Sequence, residues 1–235
     1  IVILKFAQKG LARLLPITTL FTISLVFPDQ APNRLGTALR ATNSRRRLRL
    51  LSEARTRGES SQEIDNAEVI LELGSSLNEH DRFTRGHSER VQAYTDLIAE
   101  EMGLDTDSRN KLRWASMLHD LGKMSVASEI LNKPGRPDER EWAILQGHPA
   151  AGLPYAQPLA EWLGPWLHAI DEHHLRWDGK GYPRSIGGTD ITLAGRIVAV
   201  SDAYDVMTSA RSYKKPLSHA TARQELVNGS GTQFD

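Results

Sequence analysis

From Asp81 onward the apolar residues recur at helical spacing, and this periodicity is the strongest constraint on the fold. In SERVQAYTDLIAEEM they fall three or four residues apart, so that one face of a helix would be apolar. That face comprises Val91, Tyr94, Ile98 and Met102. Gly103 follows at once and is a residue type that commonly ends helices.

Four further segments repeat this pattern. SRNKLRWASMLHDLGK has Ser108 as an expected N-cap and an apolar stripe of Leu112, Ala115 and Leu118. A third helix is predicted from Pro137, with Trp142 and Leu145 as its buried contacts, and AEWLGPWLHAIDEHH is predicted as a fourth. GRIVAVSDAYDVM is predicted as a fifth, although its β-branched start leaves a strand open. The fold class predicted for residues 81–235 is therefore all-α, a helical bundle, with a terminal helix expected beyond GTQFD.

Residues 1–34 are hydrophobic and differ from the rest of the chain. The uncharged stretch from Leu14 to Phe27 is 14 residues long, whereas a spanning helix needs about 20. A short membrane span, an interfacial helix and a buried core helix remain open. Residues 35–80 are charged and helix-favouring, and we interpret them as a helical linker that could form a dimeric stalk. The sequence thus predicts a cytoplasmic domain, and membrane anchoring through residues 1–34 stays open.

The composition limits the chemistry. Cysteine is absent, so thiolate metal sites, disulfides and cysteine nucleophiles are excluded, and any metal would be bound by imidazole and carboxylate. The 29 basic and 29 acidic residues balance. No global positive field therefore favours a nucleic-acid polymer as partner.

Histidine and aspartate recur at the inner ends of the predicted helices. Each one alone is more often a packed core residue, but together they make a nitrogen and oxygen shell suited to Fe, Mn, Ni or Zn. The candidates are His87, His119, Asp120, His148, His173, His174 and Asp202. His80, His168 and His219 lack such a setting and are interpreted as surface or linker residues. Lys123 is expected to hold an anion beside the metals, the alternative being an ordinary lysine at a helix C-terminus.

Two motifs resemble a known family. LHDLGK is similar to the HD-x-GK signature of HD-domain phosphohydrolases, and HHLRWDGKGYP to the signature of their HD-GYP subgroup. FTRGHSERV, ILNKPG, GHPAAG, AGRIVAVSDAYDVMTSARSYKKP and GTQFD follow in the order of that subgroup. The resemblance runs from about Asp81 to Asp235. It implies an all-α HD-GYP domain and metal-dependent hydrolysis of cyclic di-GMP to linear pGpG, or onward to GMP.

The resemblance also implies roles for individual residues. The seven histidines and aspartates named above would bind two divalent ions, Fe or Mn first and Ni or Zn as alternatives, with Asp120 bridging them. Lys123 would contact a bridging hydroxide or the scissile phosphate. Substrate contacts are expected at Asp81, Gly181, Tyr182, Pro183, Asp205, Arg211 and Lys214.

Three positions depart from the family pattern. Leu175 replaces the usual Glu after the paired histidines, and Ala210 replaces a common Asp before Arg211. Phe83 stands where some members carry a Glu that completes a third metal site, so two metals are predicted. These departures keep two alternatives open: a catalytically weak receptor or docking module, and a general HD nucleotide phosphohydrolase.

Overall fold

The computed structural model describes residues 73–74, 76–77, 79–81, 86–209 and 215–235. The predictions made for residues 1–34 and for almost all of the 35–80 linker lie outside these ranges. None of the helices formed by the described residues is long and apolar enough to cross a bilayer.

The described part of the chain from residue 86 onward is helical, as predicted, and none of its residues belongs to a β-strand. In chain order its α-helices are α1 (His87–Glu101), α2 (Thr106–Met117), α3 (Ser128–Leu131), α4 (Glu139–Leu145), α5 (His148–Ala156), α6 (Ala160–Leu163), α7 (Ala169–Glu172), α8 (Leu193–Thr208) and α9 (His219–Asn228). The 3-10 helices are Leu121–Ser125, Gln157–Leu159, Gly164–His168 and Gly188–Asp190. The strand alternative for GRIVAVSDAYDVM is wrong, since this segment forms α8.

Side chains begin several of these helices. Asp105, rather than the predicted Ser108, is the N-cap of α2, and its carboxylate accepts from the Ser108 amide at 2.9 Å. Helix α4 begins at Glu139, two residues after Pro137, because Asp138 and Glu141 form a capping box. The predicted fourth helix is broken into α6, a 3-10 turn and α7. Gly164 has a φ of 54° there and is followed by Pro165.

Helix α1 packs between α2 and α8, and the core lies between these three helices and α7. Its buried side chains include Val91, Leu112, Leu118, Ile170 and Val198.

The buried face of α1 differs from the prediction. Val91 is buried, but Met102 is 52% exposed, and Thr95 and Asp96 face inward instead. These polar residues have partners: Thr95 donates to Ser201, and Asp96 accepts from Arg109. The prediction that Trp142 is a buried contact is also wrong, because its side chain is 47% exposed.

Candidate metal centre

The seven predicted ligands converge, although they lie on, or directly after, five different helices. His87 is the first residue of α1, and His119 and Asp120 follow α2. His148 is the first residue of α5, His173 and His174 follow α7, and Asp202 lies in α8. Six of the seven side chains are buried, and His174 is half-buried.

The ligand atoms form two groups. Those of His87, His119 and Asp120 lie within 4.8 Å of one another, and so do those of His148, His173 and His174. Asp120 belongs to the first group and also approaches the second. Its Oδ2 is 3.7 Å from His87 Nε2 and 3.4 Å from His119 Nε2, whereas its Oδ1 is 3.3 Å from His148 Nε2. The two carboxylate oxygens therefore face different groups.

Three of the histidines are oriented in the same way. The Nδ1 atoms of His119, His148 and His173 lie 2.7, 2.6 and 3.0 Å from the carbonyl oxygens of Ser116, Leu145 and Ile170. A carbonyl can only accept, so each Nδ1 carries the proton and each Nε2 presents a lone pair to the centre. Such carbonyl partners commonly orient metal-binding histidines.

Among the residues that the structure describes, these lone pairs have no suitable partner. His119 Nε2 is buried and makes no hydrogen bond with any of them. The Nε2 atoms of His148 and His173 face each other at 3.3 Å, although neither carries a proton in the neutral tautomer fixed by its carbonyl. Buried acceptors left in this state are unfavourable, and a cation between them removes the cost. The donor set therefore fits metal ions.

His87 is held differently. Its Nδ1 bonds to Asp205 Oδ2 at 2.7 Å, and its Nε2 lies 3.3 Å from Asp202 Oδ1. Burial alone would lower the pKa of His87, but the hydrogen bonds with Asp202 and Asp205 outweigh it and raise the pKa to about 9. Asp205 also binds Arg90 Nε and Nη2, at 2.5 and 3.0 Å.

Asp205 thus has a different setting from the one expected. It was expected to contact substrate, but it is fully buried and its carboxylate is taken up by His87 and Arg90. Its position suits it to orient His87, as second-layer carboxylates commonly do for metal-binding histidines.

Burial and charge determine the protonation of the other predicted ligands. Burial lowers the pKa of His174 to about 4 and that of His173 well below its usual range, so both imidazoles are neutral at pH 7. Burial would raise the pKa of Asp120, but the Lys123 ammonium outweighs it and holds the pKa well below its usual range. The pKa of Asp202 is also lowered, because its hydrogen bond with His87 outweighs burial.

Lys123 lies at the edge of the centre. Its Nζ is 2.7 Å from Asp120 Oδ2 and 3.7 Å from Asp81 Oδ2. Asp81 is itself buried. Burial opposes the charge on Lys123, but Asp120 and Asp81 outweigh it and raise its pKa, so the ammonium is charged at pH 7.

Two glycines bring Asp120 and His148 together. A Cβ on Gly122 would lie 1.8 Å from the carbonyl oxygen of His148, and one on Gly152 would lie 2.5 Å from Ile170 Cγ2. The turn after Asp120 therefore packs backbone to backbone on the start of α5. Gly122 belongs to LHDLGK and Gly152 to GHPAAG, but the sequence does not indicate that these motifs touch.

The DGKGYP loop packs behind the paired histidines. A Cβ on Gly181 would lie 2.6 Å from the carbonyl oxygen of His174, to which the Tyr182 amide donates at 3.2 Å. The Tyr182 ring lies 4.7 Å from that of His174, and Pro183 is exposed. Gly181 thus permits close approach to the chain's own backbone.

Arg184 binds the two acidic residues that precede the paired histidines. Its Nη2 lies 2.8 Å from Asp171 and 3.0 Å from Glu172, the two residues before His173. His168, Asp171 and Glu172 also form a cluster of potential ligands. Their carboxylates are already bound to Arg184, Thr192 and the His168 ring.

The remaining predicted positions have varied outcomes. Leu175 is buried, with an exposed fraction of 3%. Arg211, Lys214, Ala210 and Phe83 lie outside the described residues. His80 bonds to the Val126 carbonyl at 2.7 Å, and His219 is exposed and bonds to Tyr204.

The comparisons with known proteins cover this domain. A family model described as HD domain matches residues 73–235. The chain is 36% identical over 169 residues to the 3′3′-cGAMP-specific phosphodiesterase 2 of Vibrio cholerae, covering 72% of this chain and 32% of that protein. It is 38% identical over 170 residues to the cyclic di-GMP phosphodiesterase of Thermotoga maritima, covering 70% of this chain and 45% of that protein. The chain thus spans less than half the length of these relatives.

Proposed function

Because the chain belongs to the HD domain family, we propose that it is a metal-dependent phosphodiesterase that hydrolyses cyclic di-GMP to linear pGpG. The observation that carries the proposal is the convergence of five imidazoles and two carboxylates from five elements, with imidazole lone pairs left unpaired inside. Relatives named as cyclic di-GMP and 3′3′-cGAMP phosphodiesterases support the cyclic dinucleotide as substrate class.

We propose two metal ions, one for each group of ligand atoms, bridged by Asp120. The separate orientation of its two oxygens supports this number. Charge supports it as well. Once metal binding has released the proton of His87, the carboxylates of Asp81, Asp120, Asp202 and Asp205 exceed the cations Lys123 and Arg90 by two. Two divalent ions would then make the pocket positive and attractive to a phosphodiester. Fe or Mn is proposed first, because imidazole and carboxylate ligands suit both.

Different residues of the chain are proposed to have different roles in hydrolysis. Bound ions would supply Lewis acidity and lower the pKa of a water molecule. The seven predicted ligands would hold the ions, and Lys123 would neutralise charge that develops on the non-bridging phosphate oxygens. Water adds to one phosphorus, the bond to the 3′ oxygen breaks, and the product is a linear dinucleotide. Arg211 and Lys214 are proposed to bind the substrate's phosphates or guanines.

The test is a turnover assay on protein whose metal content has been measured. Protein loaded anaerobically with Mn or Fe should convert cyclic di-GMP to pGpG, and chelation should abolish the conversion. A His119→Ala variant should lose activity, whereas the exposed His219→Ala should retain it. Full metal occupancy without turnover of any cyclic dinucleotide would reject the proposal.

Leu175 supports a second candidate, a receptor that binds the nucleotide but hydrolyses it weakly. Its side chain is buried and apolar at the position where related signatures carry a carboxylate, and loss of such a partner typically lowers metal affinity or activity by about 10- to 100-fold. Tight binding with full metal occupancy and slow turnover would favour this candidate. Membrane attachment through residues 1–34 and dimerisation through 35–80 remain proposals, testable by membrane flotation and light scattering.

A further inference from the structure

Helix α4 ends at Leu145, three residues before His148, which is one of the predicted metal ligands. None of its residues is buried, and Trp142 and Ile144 are 47% and 41% exposed. An exposed tryptophan on a short helix contributes little to a core, and its indole ring stays available for contact with a ligand.

Polar contacts hold α4 in a definite place. The Asp138–Glu141 capping box fixes its start, and Lys133 pairs with Glu141 at 2.6 Å. At its end, the Leu145 carbonyl accepts from the ring of His148. Trp142 is therefore on an element that is tied directly to a metal ligand.

A row of aromatic rings leads from the centre to Trp142. The Tyr182 ring lies 4.7 Å from that of His174 and 6.3 Å from that of Trp142, the latter in an edge-to-face arrangement. Tyr182 thus has one face on His174, while nearly half of the Trp142 surface stays open. The open indole stands at the outer end of the row, one aromatic ring beyond the ligand set.

We propose that Trp142 is a stacking platform for a purine base of the cyclic dinucleotide. This rests on the proposed function, which brings a phosphodiester to the metal centre. A base is separated from its own phosphate by one sugar, so a base of the bound substrate would lie beyond the ligands, toward the row of rings. Stacking uses the face of the base and does not read its edges, so Trp142 should accept guanine and adenine alike.

The test compares the full chain with Trp142→Ala, Trp142→Phe and Ile144→Ala. Binding is measured with a hydrolysis-resistant phosphorothioate analogue of cyclic di-GMP. Turnover is measured with cyclic di-GMP, with 3′3′-cGAMP and with bis(p-nitrophenyl) phosphate, which has no base. Ile144 is the matched control, because it is exposed on the same helix two residues further on.

Trp142→Ala should raise the Kd of the analogue and the KM of both cyclic dinucleotides by about 5- to 150-fold, and Trp142→Phe by much less. Turnover of bis(p-nitrophenyl) phosphate and the behaviour of Ile144→Ala should stay unchanged. Unaltered binding by Trp142→Ala, or an equal loss on the substrate without a base, would overturn the inference.

The two proposals fail separately. Wild-type protein that binds the analogue through Trp142 but does not hydrolyse cyclic dinucleotides would reject the proposed function and retain the stacking site. A Trp142→Ala variant that hydrolyses cyclic dinucleotides as well as the wild type does would reject the stacking site and retain the proposed function. Wild-type protein that neither binds nor hydrolyses them would reject both.

Discussion

Metal binding at His87 should compete with a proton, and this competition can be measured. The pKa of His87 is raised to about 9, so its imidazole is protonated at pH 7 in the metal-free protein. A metal ligand must be deprotonated, and binding therefore releases that proton. The apparent affinity for the ion at His87 should rise about tenfold between pH 7 and 8 and about fivefold between pH 8 and 9. It should then level off, about 100-fold above its value at pH 7.

The same shift affects stability with the opposite sign. A raised folded-state pKa means that the stabilisation by protonated His87 is fully present below pH 6.5 and is lost as the pH rises through about 9. The loss is on the order of 3 kcal/mol for this group. The Tm of metal-free protein should therefore fall over this range, while added Mn²⁺ should stabilise the protein most at the alkaline end.

The assay is an anaerobic competition for Mn²⁺ between the protein and a fluorescent chelator, from pH 6.5 to 9.5. Asp205→Asn removes one hydrogen bond that raises the pKa of His87, so its affinity curve should level off at a lower pH. His219→Gln, at an exposed histidine, should leave the curve unchanged. An affinity that does not vary between pH 7 and 9, after correction for protonation of the chelator, would refute the reasoning.

Three further substitutions have defined outcomes. Gly122→Ala should abolish metal binding or folding, because its Cβ would overlap the His148 carbonyl; Tm and metal content would measure the loss. The control Gly74→Ala should be tolerated, because its Cβ would lie 3.6 Å from Met117 Cε. Lys123→Ala should lower kcat by about 100- to 1000-fold with metal content retained, and loss of the metal instead would show that Lys123 is structural. Arg184→Ala should weaken metal binding about 10-fold, because it releases Asp171 and Glu172, the residues before His173; Arg184→Lys should weaken it less. If chelator competition gave the same metal affinity for Arg184→Ala and the wild type, this role would be refuted.

The fold class and the clustering of the histidines were predictable from the sequence, but the faces of individual helices were less so. Apolar spacing assigned Met102 to the buried side of α1, whereas Thr95 and Asp96 are buried there with hydrogen-bonding partners. Periodicity counts a polar residue as exposed because it cannot detect a partner more than 100 residues away in the chain, such as Ser201. The prediction that Trp142 is buried was wrong for the converse reason, because hydrophobicity alone does not distinguish a core side chain from one that is exposed beside a site.

The orientation of the ligands depends on where helices end, and part of this is encoded locally. In a continuing helix, the Leu145 carbonyl would accept from the amide of residue 149. That residue is Pro149, which has no amide proton, so the carbonyl remains free for His148 Nδ1. The Ser116 carbonyl has the same function for His119. Because α2 ends at Met117, this carbonyl receives a long contact of 3.4 Å from the His119 amide, and it also accepts from His119 Nδ1 at 2.7 Å. A histidine three residues beyond such a carbonyl is held with Nε2 directed away from the helix. The proposed metal centre would therefore depend on the endings of α2 and α4 as much as on the predicted ligands themselves. A substitution that lengthened either helix should disorient a predicted ligand without changing it.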